Sequence, residues 1–253
     1  MIRLSRRRLI TSLGAGAGGL LVAGCDRVGR SPAFQTLLTS AEELTMGAQR
    51  LVSSRTALAP EYTEAEMSPV FRTNGNTMPR SPDYRAHLES GFRNWRLIVD
   101  GLVARPLSLS LDHIRRLPSR TQITRHDCVE GWSAIGRWTG VSLKLLLGGA
   151  GLKPQARYIV FHCADDFDGT PYYESVDLID ALHPQTILAW GMNGAPLAVG
   201  HGAPLRVRIE RQLGYKHAKF VMRIEAVDSL ARIGRGKGGF WEDVAGYEWY
   251  AGI

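Results

Sequence analysis

Cys128 stands in His126-Asp127-Cys128-Val129-Glu130-Gly131-Trp132-Ser133, far from any partner at the spacing of a zinc finger or a CxxC redox pair. A lone thiolate in a turn punctuated by glycine and tryptophan can give one bond to a metal whose other ligands arrive with a bound cofactor. Read alone, the residue also fits a buried inert thiol, because free cysteine is among the most buried residue types. Glu130 could relay protons beside such a metal or simply be solvated, and Trp132 and Trp138 have the character of core or pocket wall. Arg72 and Arg137 could attract an anion, with no spacing argument behind either.

The N-terminus bears on where this chemistry would take place. Ser5-Arg6-Arg7-Arg8-Leu9-Ile10 places paired arginines ahead of Leu9 to Ala23, an apolar run too short to span a bilayer comfortably as a helix. This is the pattern of a twin-arginine export signal. The route carries folded cargo, so it predicts a periplasmic protein loaded with its cofactor before export. Val22-Ala23-Gly24-Cys25 then resembles a lipoprotein box. Acylation of Cys25 would hold the protein at the membrane by a lipid anchor only, and Asp26 resembles an inner-membrane retention signal. The alternative is cleavage nearby that discards Cys25.

Residues 1–24 hold Arg3, Arg6, Arg7 and Arg8 and no acid, so without them the formal charge of +7 becomes +3. The basic balance is partly a property of the leader, which removes the main support for nucleic-acid binding. Cys128 and Cys163 remain inside the fold. They could form a disulfide in an oxidising compartment, although nothing in the sequence sets their geometry.

The elements that must position these residues are short. In the stretch 25–70, an arm and spacer, Ser40-Ala41-Glu42-Glu43 predicts a capping box opening a helix with Leu44, Ala48 and Leu51 on one face. The core is expected over 71–253. Trp95 to Gly101, Tyr158 to His162, Leu205 to Glu210 and Phe220 to Val227 read as strands. Helices are expected from a Ser110 cap to Ile114, from Ser142 to Leu147 with a stop at Gly148-Gly149, and from a Ser175 cap through Leu182. Strands mixed with short helices and no βαβ rhythm predict an α+β domain with mixed sheets.

Three blocks carry a resemblance. They are Cys128-Val129-Glu130-Gly131-Trp132-Ser133 followed by Trp138-Thr139-Gly140-Val141-Ser142-Leu143, then Asn193 to Leu197 with His201-Gly202-Ala203-Pro204-Leu205-Arg206, then Gly214-Tyr215-Lys216-His217-Ala218-Lys219-Phe220. In this order, from about Ala59 onward, they resemble the molybdopterin-binding domain of the sulfite oxidase superfamily. The resemblance implies a molybdenum ion held by the dithiolene of a single pyranopterin and by the thiolate of Cys128. It implies that Arg206 and His201 take the pterin phosphate, and that Lys219 with the backbone N–H groups of His217 and Ala218 contacts the cofactor. Asn74 matches the family's first cofactor loop, and Cys163 or Asp165 occupies a segment that adds another contact. Outside these blocks Arg206 reads as an outward strand position, as does Lys219, and His201 and Asn74 read as turn formers.

Departures from the family pattern sharpen the expectation. Sulfite oxidases carry an arginine five residues after the metal cysteine and another just before the loop asparagine; here Ser133 and Thr73 stand there. Without those guanidinium groups anion capture should weaken. The form is instead similar to the bacterial periplasmic branch that includes protein-methionine-sulfoxide reductases, although that enzyme usually has asparagine at the position of His201 and threonine at that of Cys163. Little chain follows the third block and no Cys-x-x-Cys-His is present, so neither an immunoglobulin-like dimerisation domain nor a haem module is expected. The expectation is a monomeric oxidoreductase that exchanges an oxygen atom with a small-molecule oxo donor or acceptor. Its electrons would come through a separate haem partner, a membrane haem protein or a cytochrome c. Reduction of an S-oxide or N-oxide is favoured. A sulfite-type dehydrogenase and a non-catalytic lipoprotein scaffold are the alternatives.

Overall fold

Alternating burial builds the first sheet: in β1 (Arg96–Gly101) Leu97 and Val99 point inward and are fully buried. This computed structural model describes Val28 and residues 31–253, so the twin-arginine pattern and Cys25 lie outside the described residues. Among the described residues no helix is long and apolar enough to cross a membrane.

The described residues fall into two units, one ending at Val52 and one comprising Ser53–Ile253. The first contains helix α1 (Pro32–Val52). The expected start at Ser40 is overturned. Pro32, whose fixed φ suits a first helical turn, opens the helix, and Ser31 Oγ accepts from Phe34 N at 3.3 Å. Ser40 lies in mid-helix, its hydroxyl donating to Thr36 O at 2.9 Å.

In the second unit α2 (Pro82–Glu89) precedes β1, and β2 (Leu107–Ser110) and α3 (Leu111–Arg116) follow it. Ser110 caps α3 as expected, accepting from His113 N at 3.1 Å. The hairpin β3 (Ser119–Cys128) and β4 (Trp132–Ser142) leads into α4 (Leu143–Ala150). This helix runs through Gly148 and Gly149, the predicted stop, to a left-handed cap at Gly151. Buried Leu146, Leu147 and Ala150 on its core face outweigh the low helix propensity of glycine.

Strands β5 (Tyr158–Phe167) and β6 (Thr170–Asp177) form a second hairpin. Ser175 belongs to β6 and caps nothing. The helix after it, α5 (Leu178–Ala181), is capped by Asp177, whose Oδ1 accepts from Ile179 N and Asp180 N at 3.0 and 3.1 Å. The chain continues through β7 (Ile187–Met192), β8 (Ala195–Pro196), β9 (Arg206–Arg208), β10 (Val221–Val227) and α6 (Phe240–Ala245).

Two five-stranded sheets result. One has the order β2-β1-β10-β5-β6, with β1 and β10 parallel and the other pairs antiparallel; the other has the order β3-β4-β7-β8, with β9 also paired to β7. The α+β reading holds. The buried core lies among Leu97, Val99, Leu143, Leu147, Ile159, Phe161, Val207 and Ile224. Segment 59–68, which the sequence reading placed outside the core, is stitched to the second sheet: Tyr62 N donates to Ile123 O at 2.9 Å and Ser68 N to Ile135 O at 3.0 Å.

Candidate active site

Period-two alternation in β3 puts Gln122, Thr124, His126 and Cys128 on one buried face, and Cys128 is the strand's last residue, in register with Trp132 across the hairpin. The three-residue connection from Val129 to Gly131 thus presents the thiol at the rim of a cleft of about 270 Å³. Its lining brings together the loop Asn74, Gly75 and Asn76, the hairpin turn with Cys128 and Glu130, Asp165 of β5, and His217 and Lys219 from the third block. The remaining wall is aromatic: Phe167, Tyr172, Tyr215, Trp241 and Tyr247.

A register shift between His162 and Asp166 interrupts the pairing of β5 with β6 at Cys163 to Asp165, and Asp165 lines the cleft. Its Oδ2 accepts from Asn76 Nδ2 at 3.1 Å, and burial pushes its pKa up to about 6. Cys163 does not line the cleft. It and Cys128 are both free thiols. Burial raises the pKa of each, and at Cys128 the backbone N–H of Glu130 and then the Arg206 guanidinium offset part of that rise.

Arg206 and His201 stand behind the lining. Arg206 is fully buried, its Nη1 donating to His201 O at 3.3 Å and its Nη2 to His217 O at 3.4 Å. Burial and the neighbouring Arg208 lower its pKa to about 9. Burial, then Arg206 and Lys219, hold His201 down at about 4, so its ring is neutral. The Lys219 ammonium donates to Asn74 O at 2.7 Å, to Gly200 O at 2.9 Å and to Asn76 O. Burial and Arg206 push its pKa down to about 7, but three carbonyl acceptors match the three N–H donors of the charged form. Lys219 therefore clips the 74–76 loop to the turn at Gly200. The His217 N–H is likewise engaged, with Gly214 O at 3.1 Å, and its ring Nε2 donates to Ile209 O at 2.8 Å. What that position offers is the ring Nδ1, which has no partner.

Sequence reading passed over His126, Asn76 and Arg208. His126 Nδ1 accepts from Arg208 Nη1 at 2.9 Å, which leaves its buried Nε2–H without a partner. Its alternation with Cys128 along β3 was the available signal. Gly214 is required beneath it, since a Cβ there would lie 2.5 Å from the imidazole. Trp132 Nε1 donates to Glu130 Oε2 at 3.0 Å and so holds that carboxylate at the rim. Trp138 is buried under two arginines instead of lining the cleft. Arg137 is tied to Glu64.

This architecture and site define a molybdopterin oxidoreductase. Residues 85–232 match the oxidoreductase molybdopterin-binding domain family, and the protein belongs to that family. It is similar to a protein of Azospira oryzae provisionally named protein-methionine-sulfoxide reductase subunit YedZ1, at 34% identity over 99% of this chain and 89% of the relative. It is also similar to the protein-methionine-sulfoxide reductase catalytic subunit MsrP of Xanthomonas axonopodis pv. citri, at 32% identity over 89% of this chain and 70% of that one. The sulfane dehydrogenase SoxCD of Paracoccus pantotrophus shares 24% identity over 54% of this chain and 39% of its own, with a TM-score of 0.49.

The residues fit the molybdenum cofactor that this family implies. Asn74 Oδ1, Asp165 Oδ1, His126 Nε2, His201 Nδ1, His217 Nδ1 and Arg206 Nε are buried without partners among the described residues. Leaving so many polar atoms bare is costly unless a polar ligand meets them. Among the described residues no three His, Cys, Asp or Glu side chains gather as a metal cage, which suits a metal that takes one thiolate from Cys128 and its other donors from the cofactor.

Proposed function

We propose that the protein reduces a neutral S-oxide, methionine sulfoxide included, by two-electron oxygen-atom transfer at a molybdenum held by a single pyranopterin. The observation that carries this direction is that, among the described residues, the cleft lining has no uncommitted cation. Lys219 is the lining's cation, and its donors are spent on three backbone carbonyls. Glu130 adds a carboxylate and five aromatic rings complete the wall. Such a surface repels sulfite and suits a neutral thioether oxide, because sulfur packs favourably against aromatic rings. Ser133 donates to Asp127 Oδ1 at 2.5 Å and offers an anion nothing.

Cys128 would supply the metal thiolate, Arg206 with His201 the pterin phosphate site, and Asn74, Asp165 and His217 hydrogen-bonding groups for the pterin. Bound there, the cofactor supplies a metal that exchanges one oxygen atom and two electrons with the substrate. Reduction of an S-oxide consumes two electrons and two protons and releases the thioether and water, and Glu130 at the rim is placed to pass protons inward. Electrons would come from a separate haem protein. The Arg6-Arg7-Arg8 leader and the box ending at Cys25 support a periplasmic location with a lipid anchor. The test is turnover of methionine sulfoxide with reduced viologen against turnover of sulfite with cytochrome c. Sulfite oxidation exceeding sulfoxide reduction would reverse the assignment.

A further inference from the structure

Beneath the aromatic wall lies a fully buried ionic cluster that the cofactor site does not use. Lys216 Nζ donates to Glu174 Oε1 at 2.5 Å and to Glu242 Oε1 at 2.7 Å, and all three residues are fully buried. Burial, reinforced by the second carboxylate, pushes the pKa of Glu174 well up, and the Oε2 atoms of both acids have no partner among the described residues.

Each member sits beside a cleft residue on a different element. Glu174 lies two positions after Tyr172 on the same face of β6, Lys216 follows Tyr215, and Glu242 follows Trp241 on α6. The rings interlock, with Tyr215 and Tyr247 centroids 5.0 Å apart, Phe167 and Trp241 5.1 Å apart, and the Tyr172 hydroxyl donating to Tyr215 O at 2.8 Å. The loop before α6 folds over the cluster so tightly that a Cβ at Gly239 would lie 2.0 Å from Glu242 Oε2. Buried ion clusters add little net stability, and their best-attested use is to fix one arrangement among several.

We propose that Lys216 is a positioning residue for substrate: by bridging Glu174 and Glu242 it fixes Tyr215, Trp241 and Tyr247 as the wall against which the S-oxide's apolar substituent packs. This rests on the reading of the cleft as an S-oxide site. Reactivity at the metal is then left to Cys128 and the cofactor, while Lys216 governs how the substrate is held.

The test uses loaded holoenzyme carrying Lys216→Met, and in parallel Glu242→Leu, which frees α6 but leaves Lys216 matched by Glu174. In each, molybdenum content should equal wild type, kcat for methionine sulfoxide with reduced viologen should change by less than about twofold, and KM should rise about tenfold. A second readout needs no turnover: trypsin should cut after the exposed Arg235 and Lys237, next to the released helix, about tenfold faster. If Lys216→Met does not accumulate, Glu242→Leu decides. Unchanged KM and unchanged cleavage overturn the proposal, as does a change in only one of them or loss of molybdenum. If wild-type enzyme holds molybdenum but reduces no S-oxide, the functional reading fails and the positioning of an S-oxide falls with it, whereas S-oxide turnover with unchanged KM in the variants overturns the positioning claim alone.

Discussion

Arg206 and Arg208 leave the same face of β9 and both cover the Trp138 indole, at 5.2 and 4.4 Å from its centroid, yet only one has a carboxylate. Arg208 is paired with buried Glu210, Nη2 to Oε2 at 2.6 Å and Nε to Oε1 at 3.0 Å. Arg206 has two long bonds to backbone carbonyls and a bare Nε. A buried guanidinium lacking a counter-ion among the described residues is a site prepared for an anion.

The two arginines should therefore respond oppositely to substitution. In cofactor-free protein Arg208→Met leaves Glu210 buried and uncompensated and should cost about 3–5 kcal/mol. Arg206→Met removes an uncompensated charge and should change stability by less than about 1 kcal/mol. In protein from cofactor-competent cells, Arg206→Met should lose most of its bound pterin. Denaturant titration and pterin content check both halves.

Asp165 gives a pH signature. A carboxyl raised in the folded state stabilises fully below its unfolded value of 3.8, and that contribution is lost as the pH rises through about 6. Cofactor-free Asp165→Asn, which keeps an acceptor for Asn76, should be more stable than wild type at pH 7 by on the order of 2 kcal/mol. The difference should vanish below pH 4, as unfolding free energies across that range will show.

Gly214→Ala should displace His126, because the new methyl would meet the imidazole at 2.5 Å and the ring is held from behind by Arg208. The expected cost is about 1–3 kcal/mol in thermal or chemical unfolding, together with reduced molybdenum occupancy in the loaded protein.

Much of this site was legible in the chain. The Cys128 turn, the Arg206 strand and the Lys216-His217-Ala218-Lys219 block were visible because each joins a chemically specific residue to glycine-marked turns, and five of the nine predicted site residues line the cleft. What the chain concealed depended on distant partners. That Lys219 meets the carbonyls of Asn74, Asn76 and Gly200 is not readable from its own segment. Ser175 looks like a helix cap until β5 pairs with its strand, and Ser40 looks like one until Pro32 and Ser31 open the helix two turns earlier. Element types followed local pattern, whereas the use of each donor followed tertiary pairing.

Molybdenum and pterin content of the protein purified from cells that make the cofactor, wild type against Cys128→Ser, bears most directly on the assignment of Cys128 as the metal's thiolate. About one molybdenum per chain is expected in the wild type, with a lost or spectroscopically altered centre in the variant, since a serine oxygen is a poor substitute for the soft thiolate. Metal-free wild-type protein from cells that make the cofactor, or an unchanged centre in Cys128→Ser, would contradict it.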